Sequence, residues 1–179
     1  MEKWGATLYG NPCRDCGFGW DLTPAAAVAS VRAMPEAYVE RLAEATGSER
    51  HPDLTWSTTG YVCHVTDNLR TWSERLAGGY LDQALVVPGY DPDLLAQARN
   101  YSEISLAAAL WSLRWAVTAW VEAVESALAA QVVLQHATRG PQRAEDVARN
   151  NAHDASHHLW DVERTLDSQP AVHRRHGLP

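Results

Sequence analysis

The segment NAHDASHHLWDVERTLD, residues 151–167, holds three histidines and three aspartates within seventeen positions. It contains no proline, no glycine and few β-branched residues, a composition that predicts an α-helix. Residues four apart lie on the same face of a helix, so His153 and His157 point in the same direction. Two histidines at this spacing are a good start for a zinc site, although a solvated helix face shows the same pattern.

The other polar residues of this helix differ in their angle around its axis. With His153 at 0° and about 100° per residue, His158 lies near ~140° and does not share the histidine face. We therefore expect His158 to pack or to orient a ligand rather than to bind a metal itself. Asp154 and Asp161 lie beside the pair, where either carboxylate could accept the outer N–H of a ligating imidazole.

A second segment, TGYVCHVTDNL at residues 59–69, supplies a candidate third ligand on another helix. His64 shares its face with Tyr61 and several polar residues, and Gly60 lies beside that face. A glycine in mid-helix costs about 1 kcal/mol relative to alanine, so it suits a place that another group approaches closely. The face is either a polar cavity wall inside a bundle or a wet surface with one satisfied histidine.

Caps and breaks divide the chain into helices. Thr23 followed by Pro24 is an N-cap with the proline that the first helical position favours, and Asp91 with Pro92 repeats this pair. Short connections between helices predict an all-α, antiparallel four-helix bundle, with one brief strand-like stretch, LVV at 85–87. The predicted helices are 24–45, kinked or divided at Pro35; 55–76; 92–131, broken near 100–105; and 143–167, after a turn at 136–142.

The bundle is expected to form one domain, residues 23–168, between an irregular N-terminal segment (1–22) and a flexible tail (169–179). A net charge of −7 argues against a nucleic-acid partner. No apolar run reaches the roughly 18 residues of a membrane span, and the N-terminus does not resemble a signal peptide. We therefore expect a cytoplasmic protein with a small-molecule substrate and no membrane partner. A homodimer is left open.

Three cysteines, Cys13, Cys16 and Cys63, give no disulfide framework because their number is odd. The sequence CRDCG at 13–17 resembles half of a zinc knuckle, which needs further ligands. His51, Cys63 or a second copy of the chain are the candidates for a second zinc site with Cys13 and Cys16. The alternatives are two plain thiols in a loop, or a redox or regulatory pair. Cys63 is expected to be a small buried hydrophobic residue.

Two phrases, WSTTGYVCHVTDNLRTWSERL at 56–76 and AHDASHHLWDVERTL at 152–166, resemble the DinB-like family of metal-binding four-helix bundles, in particular its actinobacterial members. The resemblance implies a divalent metal held by one histidine of the second helix and two of the last. By position these are His64, His153 and His157. Zinc is the expected metal, with nickel or iron as alternatives. Three imidazoles leave an open coordination position, as catalytic sites do.

The resemblance also implies an activity. Its relatives include transferases and isomerases that use a low-molecular-weight thiol such as mycothiol, whose pKa a bound metal would depress. Asp67, Tyr61 and Asp161 are candidates, by position, for orienting groups or carrying protons. The alternatives are a non-catalytic bundle that binds a metal or small ligand, and another metal-assisted reaction in a biosynthetic pathway.

Overall fold

The computed structural model describes residues 2–82 and 84–169. Four long helices dominate this part of the chain, as predicted, and a short helix lies within the N-terminal segment that was expected to be irregular. The predicted tail lies outside the described residues except for Gln169. The helices are α1 (Ala6–Tyr9), α2 (Pro24–Arg41), α3 (Thr58–Leu81), α4 (Pro92–Ala98), α5 (Leu106–Ala129) and α6 (Ala144–Asp167); the strands are β1 (Val86–Val87), β2 (Val133–His136) and β3 (Gly140–Arg143).

Side-chain caps begin the helices where the sequence predicts them. The Thr23 hydroxyl accepts a hydrogen bond from the Ala26 amide at 3.1 Å, and the Asp91 carboxylate caps α4. Pro35 lies inside α2 without dividing it. The predicted break after α4 occurs where Asn100 adopts a left-handed conformation, with φ of 52°, before a 3₁₀ turn leads into α5. The local signals therefore locate most helix starts, whereas α1 was not predicted and α3 continues to Leu81, beyond its predicted end at residue 76.

The helix α6 lies between α2 and α3 in the bundle. Both α2 and α3 pack against α5 and α6, whereas α2 and α3 share few contacts although they are consecutive. The Tyr38 hydroxyl donates to the Ala155 carbonyl at 3.1 Å, and the Trp120 indole donates to the Asn151 side chain at 2.9 Å. These bonds tie α6 to α2 and α5 and satisfy polar groups that burial would otherwise penalise. No helix within the described ranges has both the length and the apolarity of a membrane span.

A small three-stranded sheet packs beside α3, and the sequence predicted only part of it. The LVV stretch contributes β1, which runs parallel to β2, with Val86 opposite Gln135. The predicted turn at 136–142 belongs to a hairpin of β2 and β3. A β-carbon at Gly79 would clash with Leu134 of β2. The glycine thus permits the close contact between α3 and the sheet.

Candidate metal centres

The structure divides the predicted ligands between two clusters of metal-binding side chains. In each cluster the candidate ligand atoms lie within 4.8 Å of one another. In the described part of the chain, His64 is therefore not grouped with His153 and His157, the set implied by the sequence. The cavity cluster consists of His64, Asp154 and His158, and the cysteine cluster consists of Cys13, Cys16, His153 and His157.

The register of α6 explains the division. His153 and His157 are four residues apart, and Asp154 and His158 form a second pair with the same spacing. The two pairs are offset by one residue, or about 100° around the helix, so they face different neighbours. The sequence predicted that His158 would not bind a metal itself, whereas the geometry favours His158 as a ligand. The four-residue spacing from Asp154 to His158 is the sequence signal that could have revealed the second pair.

Three atoms of the cavity cluster converge on one point. The Nε2 atoms of His64 and His158 each lie 3.7 Å from the same oxygen, Oδ1 of Asp154. This separation is too long for a good hydrogen bond. It suits ligands of one cation, because metal–ligand bonds of about 2.0–2.2 Å place neighbouring donors roughly 3–3.5 Å apart. These side chains thus fit a divalent metal.

Further hydrogen bonds hold these ligands in place. The Nδ1 atom of His158 lies 2.9 Å from Oδ2 of Asp161, which leaves Nε2 of His158 facing the cluster. The Asn68 amide donates to Oδ2 of Asp154 at 2.6 Å, and the Tyr90 hydroxyl donates to Asn68 at 3.2 Å. Such outer partners fix the orientation of metal ligands. The cavity cluster therefore has both a ligand set and its support.

Electrostatics favours the metal-binding protonation states of Asp154 and His153. Burial raises the pKa of the Asp154 carboxyl, but the His64 and His158 imidazoles and the Asn68 amide outweigh burial and hold that pKa well below its usual range. Asp154 is therefore ionised at neutral pH. Burial, together with the nearby His157, lowers the pKa of His153 to about 4. The His153 imidazole is thus neutral at pH 7, the form that binds metals.

The cysteine cluster joins the N-terminal segment to α6. Cys13 and Cys16 lie in a turn after α1, which is closed by a hydrogen bond of 2.8 Å from the Cys13 amide to the Phe18 carbonyl. Burial raises the pKa of the Cys16 thiol to about 11. The Sγ atom of Cys13 lies 3.9 Å from Nδ1 of His157. Histidines of α6 thus complete the pattern begun by the two cysteines.

Two residues of this chain, His51 and Cys63, were candidates for completing the cysteine site. Neither is grouped with Cys13 and Cys16 in the structure. The imidazole of His51 lies beside Asp53, with 4.0 Å between Nδ1 and Oδ2. Cys63 is buried in the apolar core, as predicted for it. The sequence did not connect His153 and His157 with the cysteines, because the family resemblance assigns these histidines to the metal of His64.

A cavity of about 800 Å³ opens onto the cavity cluster. Its lining includes the aromatic rings of Trp56 and Trp72 and two cationic side chains, Arg75 and Arg139. The Arg75 guanidinium stacks over Trp72 at 4.7 Å from the ring centroid. The volume and mixed lining are those of a small-molecule site. One wall comes from the N-terminal segment through Trp4, Gly5, Leu8 and Tyr9.

The three residues predicted to orient groups or carry protons have different surroundings. Asp161 contacts His158, one of the candidate metal ligands, and so orients its imidazole ring. Tyr61 is buried and packs against His158, with ring centroids 5.3 Å apart. Asp67 accepts a hydrogen bond of 2.8 Å from the Tyr101 hydroxyl, and it does not line the cavity. Asp67 also forms an ion pair with Arg99, whose Nε atom lies 2.9 Å from Oδ2 of Asp67.

Comparison with solved structures finds a similar fold in a protein described as "YfiT from Bacillus subtilis is a probable metal-dependent hydrolase with an unusual four-helix bundle topology". The TM-score is 0.68, the alignment covers 80% of this chain and 87% of that chain, and 12% of the residues are identical. The sequence matches no protein-family model and no curated protein. At this identity the likeness shows the fold alone, and it confirms the predicted all-α four-helix bundle.

Proposed function

We propose that the protein is a metal-dependent enzyme whose cavity cluster activates a small nucleophile against an electrophilic small molecule. The proposal depends on one observation, the convergence of His64, Asp154 and His158 beside a cavity of about 800 Å³. Two imidazoles and one carboxylate are a ligand set for zinc in hydrolytic enzymes, and they also suit iron. Three protein ligands leave coordination positions for water or substrate, unlike a closed structural site.

The residues around the cluster have separate tasks. A divalent cation bound there lowers the pKa of a water or thiol and polarises a carbonyl oxygen. Asp161 keeps the His158 ring in the tautomer that presents Nε2 to the cluster, and Asn68 holds the far oxygen of Asp154. The ligand geometry is therefore set before a substrate binds, which is what efficient catalysis requires.

The cavity lining favours an anionic substrate. Arg75 and Arg139 provide two guanidinium groups, which pair well with carboxylates. The Arg139 side chain is 27% exposed, and its Nη2 atom lies 3.8 Å from the Glu2 carboxylate, so a substrate carboxylate would compete with a long ion pair there. Trp56 and Trp72 offer apolar surface beside these charges. We therefore propose a small electrophile that carries a carboxylate.

The identity of the nucleophile distinguishes two reactions. Water gives hydrolysis, the reaction class in the description of YfiT. A low-molecular-weight thiol of the mycothiol type gives transfer or isomerisation, which the resemblance of the phrases around His64 and His153 supports. A volume of about 800 Å³ lies in the upper part of the range for small-ligand sites and has room for a thiol together with a second molecule.

Activity assays combined with metal analysis test the proposal. The purified protein is assayed with carboxylate-bearing esters and amides, and then with electrophiles in the presence of cysteine, glutathione or mycothiol. We expect turnover that depends on a divalent metal, is lost in His158→Ala and is retained in His51→Ala, a histidine outside both clusters. A requirement for thiol identifies transfer, and its absence identifies hydrolysis. Metal binding without turnover across the whole panel contradicts an enzyme and favours a binding bundle.

A further inference from the structure

We propose that the cysteine cluster is a structural zinc site with Cys13, Cys16, His153 and His157 as its four ligands. Two thiolates and two imidazoles are a common donor set of closed, four-coordinate zinc sites. Zinc binding releases a proton from each thiol. Four protein ligands leave no position for a substrate, so this site stabilises the fold. The inference is independent of the function proposed for the cavity cluster.

The four ligand atoms of the cluster lie within 4.8 Å of one another, near enough for tetrahedral coordination after a contraction. Bonds of about 2.3 Å to sulfur and about 2.0 Å to nitrogen place these ligand atoms roughly 3.5 Å apart. The 3.9 Å between Sγ of Cys13 and Nδ1 of His157 needs only a small contraction. The other ring nitrogen of His157 lies 3.8 Å from the Asp161 carboxylate. A carboxylate on the far side of a ligating imidazole is a usual feature of zinc sites.

His153 supplies a second, independent indication. Its Nε2 atom is buried, and among the described residues it has no hydrogen-bond partner. An unpaired buried nitrogen destabilises the folded state, and a bond to a metal removes this cost. The rings of Tyr9, Phe18 and Trp20 surround His153, with centroid distances of 4.5, 5.4 and 4.6 Å. These rings shield the His153 side of the cluster from water.

The consequence of such a zinc site is a fixed cavity wall. It joins residues 144 positions apart in the sequence, Cys13 and His157. The cysteine turn follows directly on the segment whose Trp4, Leu8 and Tyr9 line the cavity. Zinc at the cysteine cluster therefore attaches that wall to α6, the helix that also contributes two residues to the cavity cluster. A redox pair of cysteines would need neither of the two histidines.

Zinc analysis of the full-length protein, prepared in reducing buffer, tests the inference. We expect the double variant Cys13→Ser/Cys16→Ser to lose one equivalent of zinc relative to the wild type. Cys63→Ser, which alters the remaining cysteine, should keep that equivalent. His64→Ala should lose only metal bound at the cavity cluster. Failure of this inference and failure of the proposed function are therefore distinguishable.

Cobalt substitution provides a measurement on the unaltered protein, so it does not depend on the folding of a variant. Cobalt at the cysteine cluster should give sulfur-to-cobalt charge-transfer absorption and intense tetrahedral bands, in the wild type and in His64→Ala alike. The inference is overturned if cobalt binds without thiolate absorption, or if zinc content is unchanged in the double cysteine variant. A disulfide between Cys13 and Cys16 in the freshly prepared protein would overturn it too.

Discussion

One carboxylate, that of Asp161, contacts both metal clusters. Its Oδ2 atom lies 2.9 Å from Nδ1 of His158 and 3.8 Å from Nε2 of His157. Its side chain is 6% exposed, so solvent screens these contacts weakly. The sequence predicted an aspartate beside the ligand pair, because spacings of three and four residues bring side chains together on a helix. It could not show which imidazole would receive the hydrogen bond.

Asp161→Asn is expected to weaken metal binding at the cavity cluster by roughly 10–100-fold, the usual effect of losing a partner that orients a ligand. The asparagine retains the size of the side chain but not the negative charge that favours the ligating tautomer of His158. Competition with a chromophoric chelator measures the affinity. Asp167→Asn is the control, since the Asp167 side chain is 77% exposed and should be neutral. Equal affinities for both variants would show that Asp161 does not orient the ligand.

Glu49 makes the stability of the folded protein depend on pH. Its carboxylate accepts hydrogen bonds from the Thr46 amide at 2.7 Å, the Gly47 amide at 2.9 Å and the Thr58 hydroxyl at 2.8 Å. Burial raises its pKa, but the hydrogen bonds outweigh burial and lower the pKa to about 2. A lowered pKa in the folded state means that the ionised group stabilises the fold above about pH 4.5. This contribution is lost as the pH falls towards 2.

Glu49→Gln should therefore lower the free energy of unfolding by roughly 1 kcal/mol at neutral pH, a value reduced by the solvent that reaches this half-buried group. Chemical denaturation across a pH series measures the difference from the wild type. We expect the difference to shrink as the pH falls below about 4.5. Glu44→Gln, at an exposed position, should show no such trend. A difference that stays constant with pH would rule out the ionised carboxylate as its source.

At the scale of helices and strands, local sequence signals locate α2, α4 and α6 because caps and composition act over a few residues. The end of α3 was placed too early, since Gly78 and Gly79 resemble a helix terminus. In the structure Gly79 continues the helix and accommodates Leu134. The hairpin escaped prediction because its strands have four residues each and Pro141 interrupts the alternation.

The metal clusters escaped prediction for another reason. Spacing along α6 shows which residues share a face, but not which element covers that face. The His153 face has the composition of a wet surface, yet the N-terminal segment covers it and leaves His153 3% exposed. Without that contact the cysteines and histidines could not be assigned to one site. The candidate residues were therefore predictable, whereas their grouping depended on tertiary packing.

Gly60 on α3 allows a close contact that supports the cavity cluster. A β-carbon there would lie 2.7 Å from the Trp56 β-carbon, and the Trp56 ring stacks on His64 at 4.7 Å. Gly60→Ala should displace Trp56 and destabilise the protein by about 1–3 kcal/mol, despite the better helix propensity of alanine. Urea unfolding measures the change in free energy.

Gly78→Ala is the matched control on the same helix. Its β-carbon would meet only the tip of Leu85, a half-buried side chain that can move aside. We expect this variant to be nearly neutral. Equal destabilisation by the two substitutions would indicate that the contact between Gly60 and Trp56 is not specifically tight.

At the scale of the whole molecule, the N-terminal segment is held against the bundle. The Arg149 guanidinium donates to the Leu22 carbonyl at 2.8 Å, close to the end of this segment. The cysteine turn is another point of attachment, and Arg14 lies between its two cysteines on the exposed surface. Access of a protease to Arg14 therefore reports whether the turn is in place.

Trypsin should cleave after Arg14 slowly when zinc is bound and on the order of ten times faster after chelation, because local opening of the turn then costs less free energy. Mass spectrometry of the fragments measures the rate. Cleavage after Arg32, which is exposed on α2, should change much less. Cleavage at Arg14 that does not respond to a chelator would contradict zinc binding by the turn.

The interleaved ligand pairs of α6 have a consequence for substrate entry. A turn of this helix about its axis by one residue, about 100°, would break both ligand sets at once. With both metals bound, α6 cannot rotate about its axis without breaking metal bonds. The packing of α2 and α3 against α6 holds these two helices in place as well. Any movement that widens the cavity would then belong to a segment that contributes no ligand. Residues 89–92, which line the cavity between β1 and α4, form such a segment.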